Sequence, residues 1–138
     1  MMKNTSLREH RNQDLYKSYL AVVGSDRTFS SIAEAADFAR LQPAPMFYIE
    51  GRTAAQIIDL IEKRISLVGM HPLMRKRIWR LYDDYKQYIA ENGKQRSITR
   101  AMNELVVRPA PEFYISAEHA RHIIIKERAA AKKRRGLA

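Results

Sequence analysis

The chain has 138 residues, 46% hydrophobic and 29% charged, with a formal net charge of +10 and a pI near 10.1. That apolar share is ordinary for a globular protein and excludes general disorder, while the absence of cysteine excludes disulfide frameworks, thiolate metal sites and a cysteine nucleophile. No apolar run approaches the roughly 20 residues of a membrane span, and the N-terminal residues lack the apolar core of a secretory signal, so the reading is a soluble, cytoplasmic protein without a cofactor.

The first predicted helix opens at Ser6, where Ser6 and Glu9 have capping-box spacing. It carries Leu15, Tyr16, Tyr19 and Val23 on one face and stops at Gly24. The second is SIAEAADFAR, opened by Ser31 with Glu34. It must end near Leu41, because the residue before Pro43 is pushed out of the helical region. There follows the phrase PAPMFYI, from Pro43 to Ile49. Two prolines one residue apart stiffen the backbone and remove two donors. The Phe-Tyr-Ile after them suits an extended segment or short β-bridge, with Phe47 and Ile49 in the core and Tyr48 half exposed. The third predicted helix is TAAQIIDLIEKRI, with Thr53 and Gln56 as its box and Ala54, Ile57, Ile58, Ile61 and Ile65 as its buried stripe.

The fourth helix starts at Pro72, a residue suited to a first turn, and ends at Gly93. Met74, Ile78, Leu81, Tyr82, Tyr85 and Ile89 form its apolar face. The fifth is SITRAMNELV, from Ser97 to Val106. Then PAPEFYI repeats the earlier phrase from Pro109 to Ile115, with Phe113 and Ile115 expected in the core and Tyr114 half exposed. Ser116 caps the sixth helix, AEHARHIIIKERAAAKKRR. Lys126 and Glu127 stand where the third helix has Leu60 and Ile61, so its last turns are read as solvated, fraying into the basic tail KKRRGLA.

The two phrases are 66 residues apart, and the same offset aligns Leu7 with Leu73, Arg11 with Arg77, Leu15 with Leu81, Tyr19 with Tyr85, Ser31 with Ser97, and Ile57-Ile58 with Ile123-Ile124. Register kept without a gap over that length is a tandem repeat. The prediction is therefore an all-α protein of about six helices in two three-helix units, residues 1–66 and 67–131, followed by a basic tail at 132–138. The units are expected to pack as one domain, with a small ribbon pairing one FYI segment to the other.

The stretch IAEAADFARLQPAPMFY resembles the helix-turn-helix of tetracycline-repressor-type regulators over about twenty residues per repeat. The resemblance implies a DNA-binding protein, and the setting expected is bacterial or phage DNA, as a regulator, a mobile-element accessory factor or a packaging component. It departs from that family where a turn glycine is usual, since Arg40-Leu41 and Val106-Val107 stand there, and in its double proline.

Charge points the same way. Residues 1–66 hold nine Lys/Arg against eight Asp/Glu, and residues 67–138 hold sixteen against seven. An imbalance of that size in one half suggests an anionic partner, most often nucleic acid. If each third helix reads duplex DNA, the base contacts come from Arg52, Thr53 and Gln56, and from Glu118, His119, Arg121 and His122. Phosphate contacts would come from Arg75, Lys76, Arg77, Arg80, Arg96, Arg100 and Arg108, and from Lys132, Lys133, Arg134 and Arg135. Arg11 and Arg77 align across the repeats, which also fits a packing or salt-bridge role. Tyr48 and Tyr114 are candidate stacking residues. The single Trp79 predicts either a contact between units or a protein partner.

Catalytic signatures are missing: there is no GxGxxG, GxxxxGK[ST] or GxSxG. His119 and His122 share a helix face but lack further ligands at metal spacing. The expectation is a non-enzymatic protein that binds duplex DNA. Its rivals are a protein-interaction or structural module, and an RNA-binding protein acting through its basic second half.

Overall fold

The computed structural model describes residues 6–93 and 97–136. Among them are six helices: α1 (Leu7–Val23), α2 (Ile32–Arg40), α3 (Gly51–Glu62), α4 (Pro72–Asn92), α5 (Ile98–Leu105) and α6 (Ala117–Gly136). The class is all-α, as the periodicity predicts. Local chemistry explains the ends. The hydroxyls of Ser6, Ser31, Ser97 and Ser116 each accept the backbone N–H three residues on, at 3.1 Å. Pro72 occupies the first turn of α4, and Gly93 closes it at φ +79°, donating its N–H to Ile89 O at 2.7 Å. The Thr53–Gln56 box is not formed. Helix α3 begins two residues earlier, at Gly51, with Glu50 at its N-cap, and a side chain on Gly51 would meet Asn103, whose Oδ1 would lie 1.9 Å from an added Cβ.

The chain divides into two compact units, one made of Met1–Ala44 with Ala110–Ala138 and the other of Pro45–Pro109. These are not the halves that the repeat suggests. In the first unit α1, α2 and α6 pack on one another; in the second α3 packs on α4 and α5, and α4 on α5. Each unit therefore takes two helices from one repeat and the third helix from the other. Ten residues separate Arg40 from Gly51. That is too long for the 3–4-residue turn of a helix-turn-helix, and the connection carries the third helix away from its own repeat. The sequential helix-turn-helix expected from the resemblance is replaced by an exchange.

The proline phrases build the exchange. Ala44 and Ala110 form an isolated antiparallel bridge, each N–H donating to the other's carbonyl at 2.8 Å. The predicted FYI ribbon is thus displaced to the alanines of PAP. Each alanine lies between prolines that have no N–H to give, so the ladder cannot extend. The FYI segments cannot be continuous strand either, since Tyr48 and Tyr114 adopt left-handed backbone at φ 55° and 56°. In the second unit the Phe47 N–H donates to Val106 O at 2.9 Å; in the first, the Phe113 N–H donates to Arg40 O at 3.0 Å. Residues 40 and 106 are equivalent in the repeat, so each phrase is tied to the end of the other repeat's second helix.

The first unit's core is Leu15, Tyr19 and Val22 of α1, the alanine face of α2, Ala120, Ile123 and Ile124 of α6, and Phe113 with Ile115. The second unit's core is Ala54, Ala55 and Ile58 of α3, Ile78, Leu81, Tyr85 and Tyr88 of α4, Met102 and Leu105 of α5, and Phe47 with Ile49. Two predicted core positions lie at the surface. Val23 is exposed because Val22 takes the inward position in the last turn of α1. Ile65 is exposed because α3 has already ended.

Candidate nucleic-acid interface

Regrouping the helices regroups the charge. Counted over the sequence, the first unit has thirteen Lys/Arg against eight Asp/Glu and the second has twelve against seven, a net +5 in each. The contrast between the sequence halves disappears in the folded units, so the basic character belongs to both.

In the second unit, Arg52, Thr53 and Gln56 are exposed on the first turns of α3. Lys76, Arg80, Arg100 and Arg108 are exposed on α4, on α5 and just beyond α5, and Arg80 Nε lies 3.2 Å from Asp84 Oδ1. Arg75 is half-buried and lines a groove described below. Arg96 lies outside the described residues. Arg77 is turned inward: its guanidinium donates to Phe47 O at 3.2 Å and to Tyr48 O at 3.5 Å. It fastens the left-handed turn that leads into α3, and this position is structural rather than a phosphate contact. Replacing Arg77 with alanine should lower stability by about 1.5–3 kcal/mol, the worth of hydrogen bonds from a charged donor. Urea melts would measure that loss.

In the first unit, Glu118, His119 and His122 are exposed on the first turns of α6. Arg121 is half-buried, with one guanidinium nitrogen 3.4 Å from His122 Nε2. Partial burial lowers the pKa of His119 below its ordinary value, and the charge of Arg11 and Arg8 lowers it further. Cationic groups of α1 thus face the start of α6. Among the described residues, no three His, Cys, Asp or Glu side chains are grouped as metal ligands.

A smaller departure from the sequence reading is at the end of α6. The predicted frayed tail is helical through Gly136. The last buried residue of this helix is Ile124, and beyond it Lys126, Arg128, Lys132, Lys133, Arg134 and Arg135 are exposed. Three alanines at 129–131 favour helix without help from packing, and Lys133, Arg134 and Arg135 lie where the helix dipole is negative. From Ile125 to Gly136 there are six basic residues and one acidic, Glu127, over about 18 Å of helix.

The tyrosines proposed for stacking are not half exposed. Tyr48 is 7% and Tyr114 8% exposed, because the left-handed turn folds each ring into the core of its unit. Their faces are not available to bases.

The repeat pattern gave no sign of two other features. Glu112 is a buried carboxylate where the first repeat has Met46. The Tyr88 hydroxyl donates to the carboxylate of Glu104, linking α4 to α5. No helix among the described residues is long and apolar enough to cross a membrane. Comparison with protein-family models, curated proteins and solved structures finds no match.

Proposed function

We propose that the protein binds duplex DNA as a non-catalytic factor, with the exposed end of α6 as its principal contact. The observation that carries this reading is the helical segment 125–136, with six cations and no buried residue. A helix that is basic all round and unsupported by a core face has no packing reason to hold its form. Its dimensions suit the major groove, which admits an α-helix, and its lysines and arginines suit phosphates. Arg128, Lys132 and Arg135, at i, i+4 and i+7, fall on one side of this helix. Exposed Arg52, Gln56, Arg100 and Arg108 supply cations and base-reading groups in the second unit. The setting that fits is a bacterial or phage regulator or accessory factor of DNA.

The test is fluorescence anisotropy with random duplex DNA, single-stranded DNA and hairpin RNA across a salt series. Duplex DNA should bind most tightly. Changing Lys132, Lys133, Arg134 and Arg135 together to alanine should flatten the log–log salt slope by up to about 3.5. Alanine keeps the helix propensity, so the loss reports charge. Tighter binding of the hairpin would transfer the role to RNA. An absence of salt-dependent binding to all three would remove the proposal.

A further inference from the structure

We propose that the second unit carries a docking groove for an acidic, amphipathic peptide segment of another protein. The groove, of about 510 Å³, lies where the end of α3 and the following loop meet α4. Ile61, Ile65, Val68 and Trp79 line it with apolar surface, and Arg64 and Arg75 are the charged residues that line it. Ile65 is 49%, Val68 80% and Trp79 48% exposed, so three large apolar side chains face solvent together. An apolar cluster of this kind, with a tryptophan as anchor, marks interaction surfaces more often than solvent-facing ones.

Arg64 gives a second, independent observation. Helix α3 ends in a paired C-terminal turn, with the Ile65 N–H on Leu60 O and the Arg64 N–H on Ile61 O, both at 2.9 Å. The residue at the pivot of that turn is left-handed and is usually glycine, which bears no steric penalty there. Here it is Arg64 at φ 60°. The chain therefore accepts backbone strain to keep a guanidinium beside the groove, an outlier that points to function.

Charge selects the occupant. Both charged lining residues are cationic, and the chain carries +10 overall, so a second copy would be repelled. Apart from Ser66 and the two arginines the lining is apolar, which suits the apolar face of a peptide better than the polar edges of a base. An amphipathic helix with bulky apolar anchors on one face and carboxylates flanking them fits the apolar floor and both arginines.

Trp79 is the only tryptophan, so its emission reports the groove directly. The probe is an unlabelled helical peptide of about sixteen residues, roughly four turns. It carries leucine and phenylalanine at i, i+3, i+4 and i+7 and glutamate elsewhere, and its control has lysine for every glutamate. The acidic peptide should shift Trp79 emission to the blue saturably, and the lysine control should bind at least about tenfold more weakly. Arg64→Gly should weaken the acidic peptide by about fivefold while the urea midpoint stays level or rises, since glycine relieves the strain. Equal binding of both peptides, a silent Trp79, or unchanged affinity in Arg64→Gly would overturn the proposal. A Trp79 shift produced by oligo-dT and not by the peptides would make the groove a base-stacking site instead.

Discussion

Cutting the chain between its two sequence repeats should leave the halves bound to each other. A protease site introduced at Val68-Gly69, in the exposed loop between α3 and α4, would give one fragment with α1, α2 and α3 and another with α4, α5 and α6. Neither fragment contains a complete unit, because α6 belongs with α1 and α2, and α3 with α4 and α5. The side chains that each fragment inserts into the other's unit are Phe47, Ile49 and Ile58 on one hand, and Phe113, Ile115, Ile123 and Ile124 on the other. Burying seven such side chains is worth roughly 10–20 kcal/mol gross. Against the freedom lost on association, these buried side chains should hold the fragments together at micromolar concentration. The nicked protein should elute as one species with its helical signal intact, and separate only in denaturant. Two repeats folded independently along the chain would elute apart under native conditions, and that outcome would refute the exchange.

The contrast shows which parts of the structure are legible in the sequence. Helix spans follow from interactions within a turn or two, such as Ser31 with the Glu34 N–H, or Pro72 and Gly93 at the two ends of α4. These are sequence-local, and the exception is the start of α3, whose expected Thr53–Gln56 box does not form. The partner of each helix is a different matter. The stripe Ala54, Ile57, Ile58 and its counterpart Ala120, Ile123, Ile124 are nearly the same surface. Periodicity says that each must be covered and is silent on which repeat covers it. What decides the pairing is the PAPxFYI linker, whose prolines limit its pairing to one bridge and whose tyrosines reverse the chain. A left-handed tyrosine has no sequence signal comparable to glycine, so the turn and the burial of its ring are invisible beforehand.

The candidate site divides along the same line. Exposure of Arg52, Gln56, His119 and the basic run at 132–135 follows from their positions off the apolar stripes. The inward turn of Arg77 does not, because its acceptors are backbone carbonyls of Phe47 and Tyr48, about thirty residues away in the chain. Its alignment with Arg11 across the repeat was the available hint of a structural part. The strain at Arg64 was similarly hidden, since an arginine after an amphipathic helix reads as an ordinary solvated end.

The second large effect expected is on the aromatic anchors of the exchange. Phe47 is 1% and Phe113 2% exposed, and each enters the core of a unit that takes two of its three helices from the other repeat. Truncating either to alanine should cost about 3–5 kcal/mol. That is a large share of the roughly 5–15 kcal/mol that holds a native domain together. The losses should differ in place. Phe47→Ala opens the core built from α3, α4 and α5, and Phe113→Ala opens the one built from α1, α2 and α6. Amide exchange read residue by residue separates them: Phe47→Ala should speed exchange first in α3 to α5, and Phe113→Ala first in α1, α2 and α6. Swapped assignments would mean that each phrase anchors its own repeat after all. In that case the bonds from Phe47 N to Val106 O and from Phe113 N to Arg40 O would not govern how the chain is built. Leucine at either position keeps most of the volume and should recover most of the loss, which ties the effect to the filled cavity rather than to the ring.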